Sequence, residues 1–452
     1  MPTGRGPVYR RIVEALSADI ASGRLHRGQQ LPTHRALAKT LGIDLTTVTR
    51  AYAEARQRGL TEARVGRGTF VAESLSQVRH AAAAQPQFDL SMNLPPQPLE
   101  ADLEGRLTRG IAAIQREVGF SAHLNYREPG GSEAERDVAA GWLRSRIPDA
   151  RGDRLVICPG TQNALFNLLV ALTSPGDVVL TETLTYPGIK AAAAYIGVRL
   201  VGVPMDEEGV VPDALNAACR QYAPKAVYLI PTIHNPTTAT MSRSRREQVA
   251  DIVRANDLLL FEDDAYGMLD PGVIPIASLI PEQTYFAASL SKCIAPGLRV
   301  SFLLTPDADF AGLVAAALRA SVQMPALLMV ALVTRWLKDG SADAIIAAIR
   351  NEARARQKLA ADVLARHAFA RHPNGHHIWI PLPRNWSRTE FASHVQWQGL
   401  AIVTAETFSV EDNQPRAIRV SLGAANSRAE LARALEILSV ALKSSAGGPR
   451  VV

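Results

Sequence analysis

The chain has 452 residues, 47% of them hydrophobic and 20% charged, so it can bury a large core and is long enough for two or three domains. Its three cysteines, Cys158, Cys219 and Cys293, are too few and too scattered for a disulfide framework or a zinc site, which favours a reducing, cytoplasmic setting. The sequence shows neither the apolar core of a signal peptide nor an uninterrupted apolar run of the roughly 18 residues that a membrane span needs. These features argue against a secreted scaffold and against a membrane protein.

The positive charge is confined to the start of the chain. The net charge is +6, and residues 1–80 hold 13 Lys+Arg against 6 Asp+Glu, which leaves 36 against 37 in the remaining 372 residues. A basic module joined to a neutral body predicts a polyanionic partner for that module. A basic surface that is merely solvated is the alternative, and charge alone does not separate the two.

The first elements read as two helices. Residues 8–23 place Ile12, Leu16 and Ile20 on one helical face and end at a glycine. The run "GQQLPTHRALAKTLG" then offers Thr33 as the N-cap of a short second helix.

A third helix and a hairpin follow. Asp44 can cap a helix that turns Val48, Tyr52 and Ala55 inward. Two short β-prone runs, "LTEARV" and "TFVA", are joined through "GRG" and predict a hairpin. This order of elements predicts a winged helix-turn-helix over residues 8–73.

Residues 74–88 are polar and Ala-rich without a clear period, and we expect a linker there. Beyond it, apolar runs alternate with helical patterns, which predicts an α/β fold with a mainly parallel sheet of seven strands covered on both faces. Seven runs predict the strands: "RLVIC", "DVVLTE", "RLVGVPM", "AVYLIP", "LLLFEDD", "TYFAAS" and "RVSFLL". From about residue 336 to 446 the pattern changes to a small α+β subdomain, and residues 447–452 are expected to be a disordered tail.

Polar clusters end five of these strands: "CPGTQNAL", "TETLTYPG", "PTIHNPTTA", "FEDDAYG" and "SLSK". Ligands of open α/β sheets bind beyond the carboxyl ends of the strands, so we expect the five clusters to form one site.

The residue types in these clusters suit pyridoxal 5′-phosphate. Lys292 follows a buried strand with Arg299 nearby, and desolvation or a neighbouring cation lowers a lysine pKa enough for an imine to form. The run "EDD" supplies a carboxylate for a pyridine nitrogen. Phosphate needs amide N–H groups at a helix start, hydroxyls and an arginine. The run "GTQ", together with Ser289, Ser291 and Arg299, supplies them.

Two aromatic residues complete this predicted site. Tyr266 offers a phenol near the ring oxygen, and Tyr186 is either a ring-stacking residue or part of the core. No cluster shows the spacing of metal ligands, so no metal is expected.

The motifs "HNPT", "EDDAYG" and "SLSKCIAPGLRVSF" resemble those of fold-type I, class I/II aminotransferases, over about residues 89–446. The N-terminal "LPTHRALAKTLGIDLTTVTRAY" resembles the GntR winged helix. The fusion, with "DLSMNLPPQP" after the linker, resembles the MocR subfamily of bacterial transcriptional regulators. The resemblance implies a homodimer that binds both pyridoxal phosphate and operator DNA.

The resemblance also implies residue roles. Lys292 would form the Schiff base, and Asp263, rather than its neighbour Asp264, would hold the pyridinium. Tyr266 and Asn235 would contact the ring hydroxyl oxygen. The implied phosphate ligands are Thr161, Gln162, Ser289, Arg299 and, from the other subunit, Tyr126.

Arg419 would bind a ligand carboxylate. The alternative is that Arg419 forms a structural ion pair within the protein. On the winged helix we expect six residues to face DNA, four at the starts of the second and third helices and two on the wing. They are Arg35, Thr46, Thr47, Arg50, Arg64 and Arg67.

The sequence thus predicts a regulator that senses an amino compound, or pyridoxal phosphate itself, through an aldimine at Lys292. The alternative is a working aminotransferase with an accessory winged helix. The winged helix itself could instead bind protein.

Overall fold

The computed structural model describes residues 8–21, 24–26, 28–57, 60–64, 68–71, 86–412 and 414–444. The chain divides into two compact units, Met1–Pro86 and Gln87–Val452. Among the helices of the described ranges, none is long and apolar enough to cross a membrane.

The first unit has the predicted order of elements: α1 (Val8–Ala21), α2 (His34–Leu41), α3 (Leu45–Gln57) and a hairpin of β1 (Thr61–Arg64) and β2 (Gly68–Val71). The hydroxyl of Thr33 accepts the N–H of Ala36 at 3.2 Å, which confirms this residue as the cap of α2. The three residues of α3 that were predicted to face inward, Val48, Tyr52 and Ala55, are buried, and Ala51 is buried with them. The tip of the wing, residues 65–67, lies outside the described residues.

The second unit is built on a central sheet that follows a short strand β3 (Phe88–Asp89). The strands of this sheet are β4 (Leu155–Cys158), β5 (Val178–Glu182), β6 (Arg199–Val203), β9 (Ala226–Leu229), β10 (Leu259–Asp264), β11 (Thr284–Ser289) and β12 (Ser301–Leu304). Between β6 and β9, the chain forms a separate small hairpin of β7 (Met205–Asp206) and β8 (Gly209–Val210).

The order of the central sheet is β4-β12-β11-β10-β9-β5-β6, and all seven apolar runs form its strands. The strand β12 is antiparallel to β11 and β4, whereas the other neighbours are parallel. The carboxyl ends of the other six strands therefore meet at one edge. Strands β4, β9, β11 and β12 are buried throughout, as near-continuous apolar runs predict.

Helices cover the two faces of this sheet and build the C-terminal subdomain. They are α4 (Leu103–Glu117), α5 (Glu133–Leu143), α6 (Thr161–Leu172), α7 (Pro187–Ile196), α8 (Pro212–Tyr222), α9 (Arg243–Ala255), α10 (Ala308–Val322), α11 (Leu327–Lys338), α12 (Ser341–Val363), α13 (Arg388–Trp397) and α14 (Arg428–Lys443). Short 3-10 helices include Gly267–Leu269 after β10 and Pro296–Leu298 before β12.

The C-terminal subdomain holds a second, antiparallel sheet. The strands of this part of the chain are β13 (Ala370–Arg371), β14 (His377–Pro381), β15 (Leu400–Ala401), β16 (Val403–Thr404) and β17 (Ala417–Ser421). The sheet order is β13-β14-β17-β16, while β15 pairs in parallel with β3, which begins at the last residue of the predicted linker. Ser427 caps the last helix, since its Oγ accepts the N–H of Glu430. The predicted tail, residues 447–452, and residues 74–85 of the predicted linker lie outside the described residues.

Candidate functional site

A cavity of about 240 Å³ lies where the carboxyl ends of the central strands meet. All the cofactor residues predicted within one chain line it: Thr161, Gln162, Tyr186, Asn235, Asp263, Tyr266, Ser289, Lys292 and Arg299. They lie at or after the carboxyl ends of β4, β5, β9, β10 and β11, apart from Arg299, which lies just before the antiparallel strand β12. This is the convergence that the strand-end clusters predict.

Lys292 is the amine of this cavity. Its Nζ donates a hydrogen bond to the backbone oxygen of Asn93 at 2.6 Å. Burial lowers the pKa of Lys292 to about 8, and the positive charges of Arg419 and Arg299 act in the same direction, against the carboxylate of Asp263. At pH 7 roughly a tenth of a group with such a pKa is neutral and can act as a nucleophile.

Asp263 is the carboxylate that faces the same cavity. Its Oδ2 accepts a hydrogen bond from the hydroxyl of Tyr228 at 2.7 Å, and its Oδ1 accepts the N–H of Ala265 at 3.2 Å. Burial raises the pKa of Asp263 to about 6, while those two hydrogen bonds oppose the rise. The group is therefore ionised at neutral pH, and a cationic ligand nitrogen would stabilise it further.

Asp264 and Glu262, the carboxylates on either side of Asp263, have their hydrogen-bond partners within the protein. Both oxygens of Asp264 accept from the guanidinium of Arg146, with Nη2–Oδ2 at 2.8 Å, and both side chains are fully buried. Glu262 accepts the N–H groups of Ile276 and Ala277. Of the three carboxylates in "EDD", Asp263 is the one that lines the cavity.

The start of α6 forms an anion cradle at one end of the cavity. Thr161 opens the helix, and its buried Oγ1 has no partner among the described residues. Gly160 has φ +91°, and a Cβ there would overlap the guanidinium of Arg299. Arg299 is held by a 2.8 Å hydrogen bond from Nη2 to the oxygen of Pro159. An unpartnered hydroxyl, a helix N-terminus and an arginine fit the phosphate of pyridoxal phosphate.

The ring region of the cavity carries the predicted aromatic and amide groups. The phenol of Tyr266 accepts a hydrogen bond from Nδ2 of Asn93 at 2.6 Å, and burial raises the pKa of this phenol. Tyr186 also lines the cavity, and its hydroxyl donates to Oε1 of Gln162 at 3.3 Å. Both aromatic residues therefore line the same cavity as Lys292 and Asp263.

Arg419 lies behind the cavity wall. Its Nη1 donates to Oδ1 of Asn235 at 2.9 Å, and its Nη2 donates to the oxygen of Ser91. Its buried Nε has no partner among the described residues. The guanidinium also lies 4.9 Å from the ring centre of Phe408. No carboxylate among the described residues pairs with it, so the structure shows no ion pair there.

Tyr126, the residue predicted to act from a second subunit, is 82% exposed and does not line the cavity of its own chain. Its role stays a prediction.

The sequence did not identify two residues that hold the site, Asn93 and Tyr228. Asn93 joins Tyr266 to the ring of His377, whose Nε2 donates to the oxygen of His234 at 3.1 Å. Tyr228 stands opposite Phe261 in the sheet, so it shares a face with Asp263 two residues on. Only the pairing register, which a single sequence does not show, would have revealed it.

The adjacent His376 and His377 are both buried and do not line the cavity. Nε2 of His376 donates to the backbone oxygen of Lys292 at 2.7 Å. Burial lowers the pKa of His376 to about 4 and that of His377 well below its ordinary value, so both rings are neutral.

On the first unit, four of the six predicted DNA-facing side chains are described. Arg35 and Arg50 are exposed, and the guanidinium of Arg50 lies 4.2 Å from the ring centre of Tyr9. The hydroxyl of Thr46 is engaged with Asp44, and Thr47 is half-buried. Arg67 and the side chain of Arg64 lie outside the described residues.

Two family profiles match the chain. Aminotransferase class I and II matches residues 85–438, and the gntR family of bacterial regulatory proteins matches residues 8–71.

Curated relatives share both parts. The chain is 31% identical to the HTH-type transcriptional regulator YdeF of Bacillus subtilis, over 96% of this chain and 94% of the relative. It is 29% identical to the vitamin B6 salvage pathway transcriptional repressor PtsJ of Salmonella typhimurium, over 93% and 95% of the two chains.

Solved structures match the second unit's fold. The α-aminoadipate aminotransferase LysN of Thermus thermophilus, complexed with N-(5′-phosphopyridoxyl)-L-leucine, gives a TM-score of 0.73 at 25% identity, over 82% of this chain and 95% of LysN. Kynurenine aminotransferase of Pyrococcus horikoshii gives 0.74 at 20% identity, over 81% and 93%. The chain therefore belongs to the aminotransferase class I and II family and, through its N-terminal gntR-family domain, to the MocR subfamily of GntR transcriptional regulators.

Proposed function

We propose that this regulator binds pyridoxal 5′-phosphate at Lys292 and that its affinity for operator DNA changes when the coenzyme or an amino compound occupies the cavity. The observation that carries the proposal is one cavity in which an amine with a lowered pKa, Lys292, and a buried carboxylate, Asp263, stand beside a phosphate cradle. The basic N-terminal unit supplies the contact with DNA.

When bound, pyridoxal phosphate supplies an aldehyde that condenses with a primary amine with loss of water, and a pyridine ring that withdraws electrons. Lys292 provides the amine, because burial keeps part of it neutral. Asp263 would keep a proton on the ring nitrogen, and Tyr228 holds Asp263 in place through its hydrogen bond. The cradle at Thr161 and Arg299 orients the phosphate.

An amino compound with a carboxylate is the effector that the cavity favours, and pyridoxal phosphate itself is the other candidate. Arg419 is buried, carries an unpartnered Nε and is held beside Asn235, so a carboxylate would satisfy it. The name of PtsJ, a vitamin B6 salvage repressor, agrees with a response to the coenzyme.

We further propose that the protein works in the cytoplasm as a homodimer. Tyr126 is a large exposed aromatic residue, and the resemblance gives it a phosphate contact in a second copy. Two winged helices would then read the two half-sites of one operator.

The test is a DNA-binding titration with and without pyridoxal phosphate. The full-length protein is mixed with a fragment from upstream of its own gene, and the Kd is measured over a range of salt concentrations. We expect a steep loss of affinity with salt and a shift in Kd when the coenzyme is added. Equal affinity for unrelated DNA of the same length, with no effect of the coenzyme, would refute the proposal.

A working aminotransferase is the second candidate, because Lys292, Asp263 and Arg419 together contain the groups that transamination needs. The coenzyme-loaded protein would be incubated with a panel of amino acids and a keto-acid acceptor. Turnover of about 1 per second or more, without any shift of DNA, would favour the enzyme over the regulator.

A further inference from the structure

Residues 88–94, which we call the entry segment, lead from residues 72–85 of the chain into the second unit. Two side chains that line the cavity, and Arg419 behind its wall, bind this segment. Lys292 Nζ donates to the oxygen of Asn93 at 2.6 Å, Arg419 Nη2 donates to the oxygen of Ser91, and Asn93 Nδ2 donates to the phenol of Tyr266 at 2.6 Å. The amine and the guanidinium assigned to coenzyme and ligand are thus also the groups that hold this segment.

The entry segment is also part of the C-terminal subdomain. The N–H of Leu90 donates to the oxygen of Ala401 at 3.0 Å, and the N–H of Ser421 donates to the oxygen of Leu90 at 2.9 Å. Phe88 and Leu90 are buried in the core of this subdomain. The segment is therefore joined to the subdomain's strands both by backbone hydrogen bonds and by core packing.

Asn93 is the junction between the two sheets. Its backbone oxygen and its Nδ2 bind Lys292 and Tyr266, which belong to the central-sheet side. On the subdomain side, its Nδ2 lies 3.0 Å from Nδ1 of His377. Because His377 is neutral and its Nε2 donates to a backbone oxygen, its Nδ1 accepts from Asn93.

These contacts cannot stay the same in every state of the site. A free amine has hydrogens to donate, whereas a nitrogen joined to carbon by a double bond keeps at most one, with planar geometry. The bond from Lys292 to the Asn93 oxygen must therefore change when Lys292 binds an aldehyde. A ligand carboxylate at Arg419 would compete with the oxygen of Ser91 in the same way.

We propose that the entry segment reports the state of Lys292 and Arg419 to the DNA-binding unit, with Asn93 as the positioning residue that couples them. The inference rests on the proposed function, since it names the route by which occupancy of that site reaches the DNA-binding unit. The segment is the part of the second unit that continues directly into the chain leading to the winged helix.

The first test is hydrogen–deuterium exchange of the native full-length protein, with and without pyridoxal phosphate. Loading at Lys292 is verified from the mass of the borohydride-reduced peptide. We expect exchange of the amides of residues 88–94 to change on loading, while a peptide from α9 does not change. Equal exchange of residues 88–94 in the two states, with Lys292 fully modified, would overturn the inference.

The second test is Asn93→Ala, with Asn256→Ala as the matched control, because Asn256 makes its hydrogen bond at the end of α9, away from the cavity. DNA affinity is measured without the coenzyme and with enough of it to modify Lys292 fully. For the native protein and the control we expect the two Kd values to differ by about fivefold or more, and for Asn93→Ala to differ by less than about twofold. Asn93→Leu, which is close in shape, replaces the alanine variant if that variant does not fold.

The outcomes separate the inference from the proposed function. If the native protein binds no coenzyme at Lys292, or if its DNA affinity does not depend on the coenzyme, both the proposed function and the inference are refuted. A native protein with a coenzyme-dependent Kd, whose ratio survives in Asn93→Ala, refutes the inference alone.

Discussion

Burial acts on Lys292 and Asp263 in the same way, since it favours the uncharged form of each. The pKa of the amine falls to about 8 and that of the carboxyl rises to about 6. Between these values Asp263 is ionised and Lys292 is partly neutral, which are the states that the proposed roles need.

The pKa of Lys292 gives a pH dependence. The neutral amine is the nucleophile, and its fraction rises as the pH passes upward through about 8. We therefore expect the rate of coenzyme capture by the coenzyme-free protein to rise about tenfold from pH 6 to 7 and to level off above pH 9. Stopped-flow absorbance would measure it, and a rate still rising tenfold per pH unit at pH 9.5 would show an ordinary lysine.

Adjacent carboxylates give a matched pair of variants. Asp264→Asn leaves the buried Arg146 without its counter-charge and should lower the free energy of unfolding by about 3 kcal/mol or more. Asp263→Asn removes a carboxylate whose raised pKa shows that its charge is costly to bury, so the coenzyme-free protein should be equally stable or more stable. Its Kd for pyridoxal phosphate should rise at least about tenfold, the equivalent of one hydrogen bond to a charged group.

Urea unfolding of the coenzyme-free variants and a coenzyme titration measure the two effects. If Asp263→Asn unfolds easily and Asp264→Asn loses only the coenzyme, the two roles are exchanged.

At the scale of elements, the turn from β4 into α6 sets the phosphate cradle. Gly160 has a positive φ, and the guanidinium of Arg299 occupies the place where a Cβ would stand. The short path from strand to helix therefore brings the helix N-terminus and Arg299 together.

Gly160→Ala tests this turn, with Gly176→Ala as its control. Both glycines have φ near +90°, so both variants should lose about 1–2 kcal/mol of stability to backbone strain. A Cβ at Gly176 meets no atom within 4 Å, whereas one at Gly160 displaces Arg299. A coenzyme titration should show weaker binding in Gly160→Ala by about tenfold or more and native binding in the control. Equal Kd values in the two variants would remove Arg299 from the phosphate site.

The elements and the residues at their ends could be predicted because their signals are local. Thr33 and Ser427 are caps of the helices that follow them. Asp263 lies near the end of a strand that begins with an apolar run, and Lys292 follows another such strand. The hydrogen bond from Tyr228 to Asp263 could not be predicted in this way. It joins residues 35 positions apart and depends on the pairing of β9 with β10.

Asn93 was missed for a related reason. Its partner Lys292 is 199 positions away, and an asparagine after a short strand reads as an ordinary turn residue. The long-range contacts that couple the site to the rest of the chain are thus the part that required the structure.

The whole molecule joins a basic first unit to a second unit that is close to neutral, and the two should respond separately to surface changes. Arg35→Ala removes one exposed positive charge from the start of α2 and should weaken DNA binding. It should also make the slope of log K against log salt shallower by about one, without changing the coenzyme titration. Arg243→Ala, an exposed arginine on α9, is the control and should change neither. An unchanged salt slope in Arg35→Ala would place that residue outside the DNA interface.

The proposed role of Lys292 is tested most directly by finding where pyridoxal phosphate attaches. The full-length protein is incubated with the coenzyme, reduced with borohydride, digested and analysed by mass spectrometry, with Lys190→Ala and Lys292→Ala beside the native chain. We predict one reduced coenzyme on the peptide that contains Lys292, in the native protein and in Lys190→Ala, and none in a folded Lys292→Ala. An unmodified native protein, or an adduct that survives in Lys292→Ala, would contradict the proposed role of Lys292.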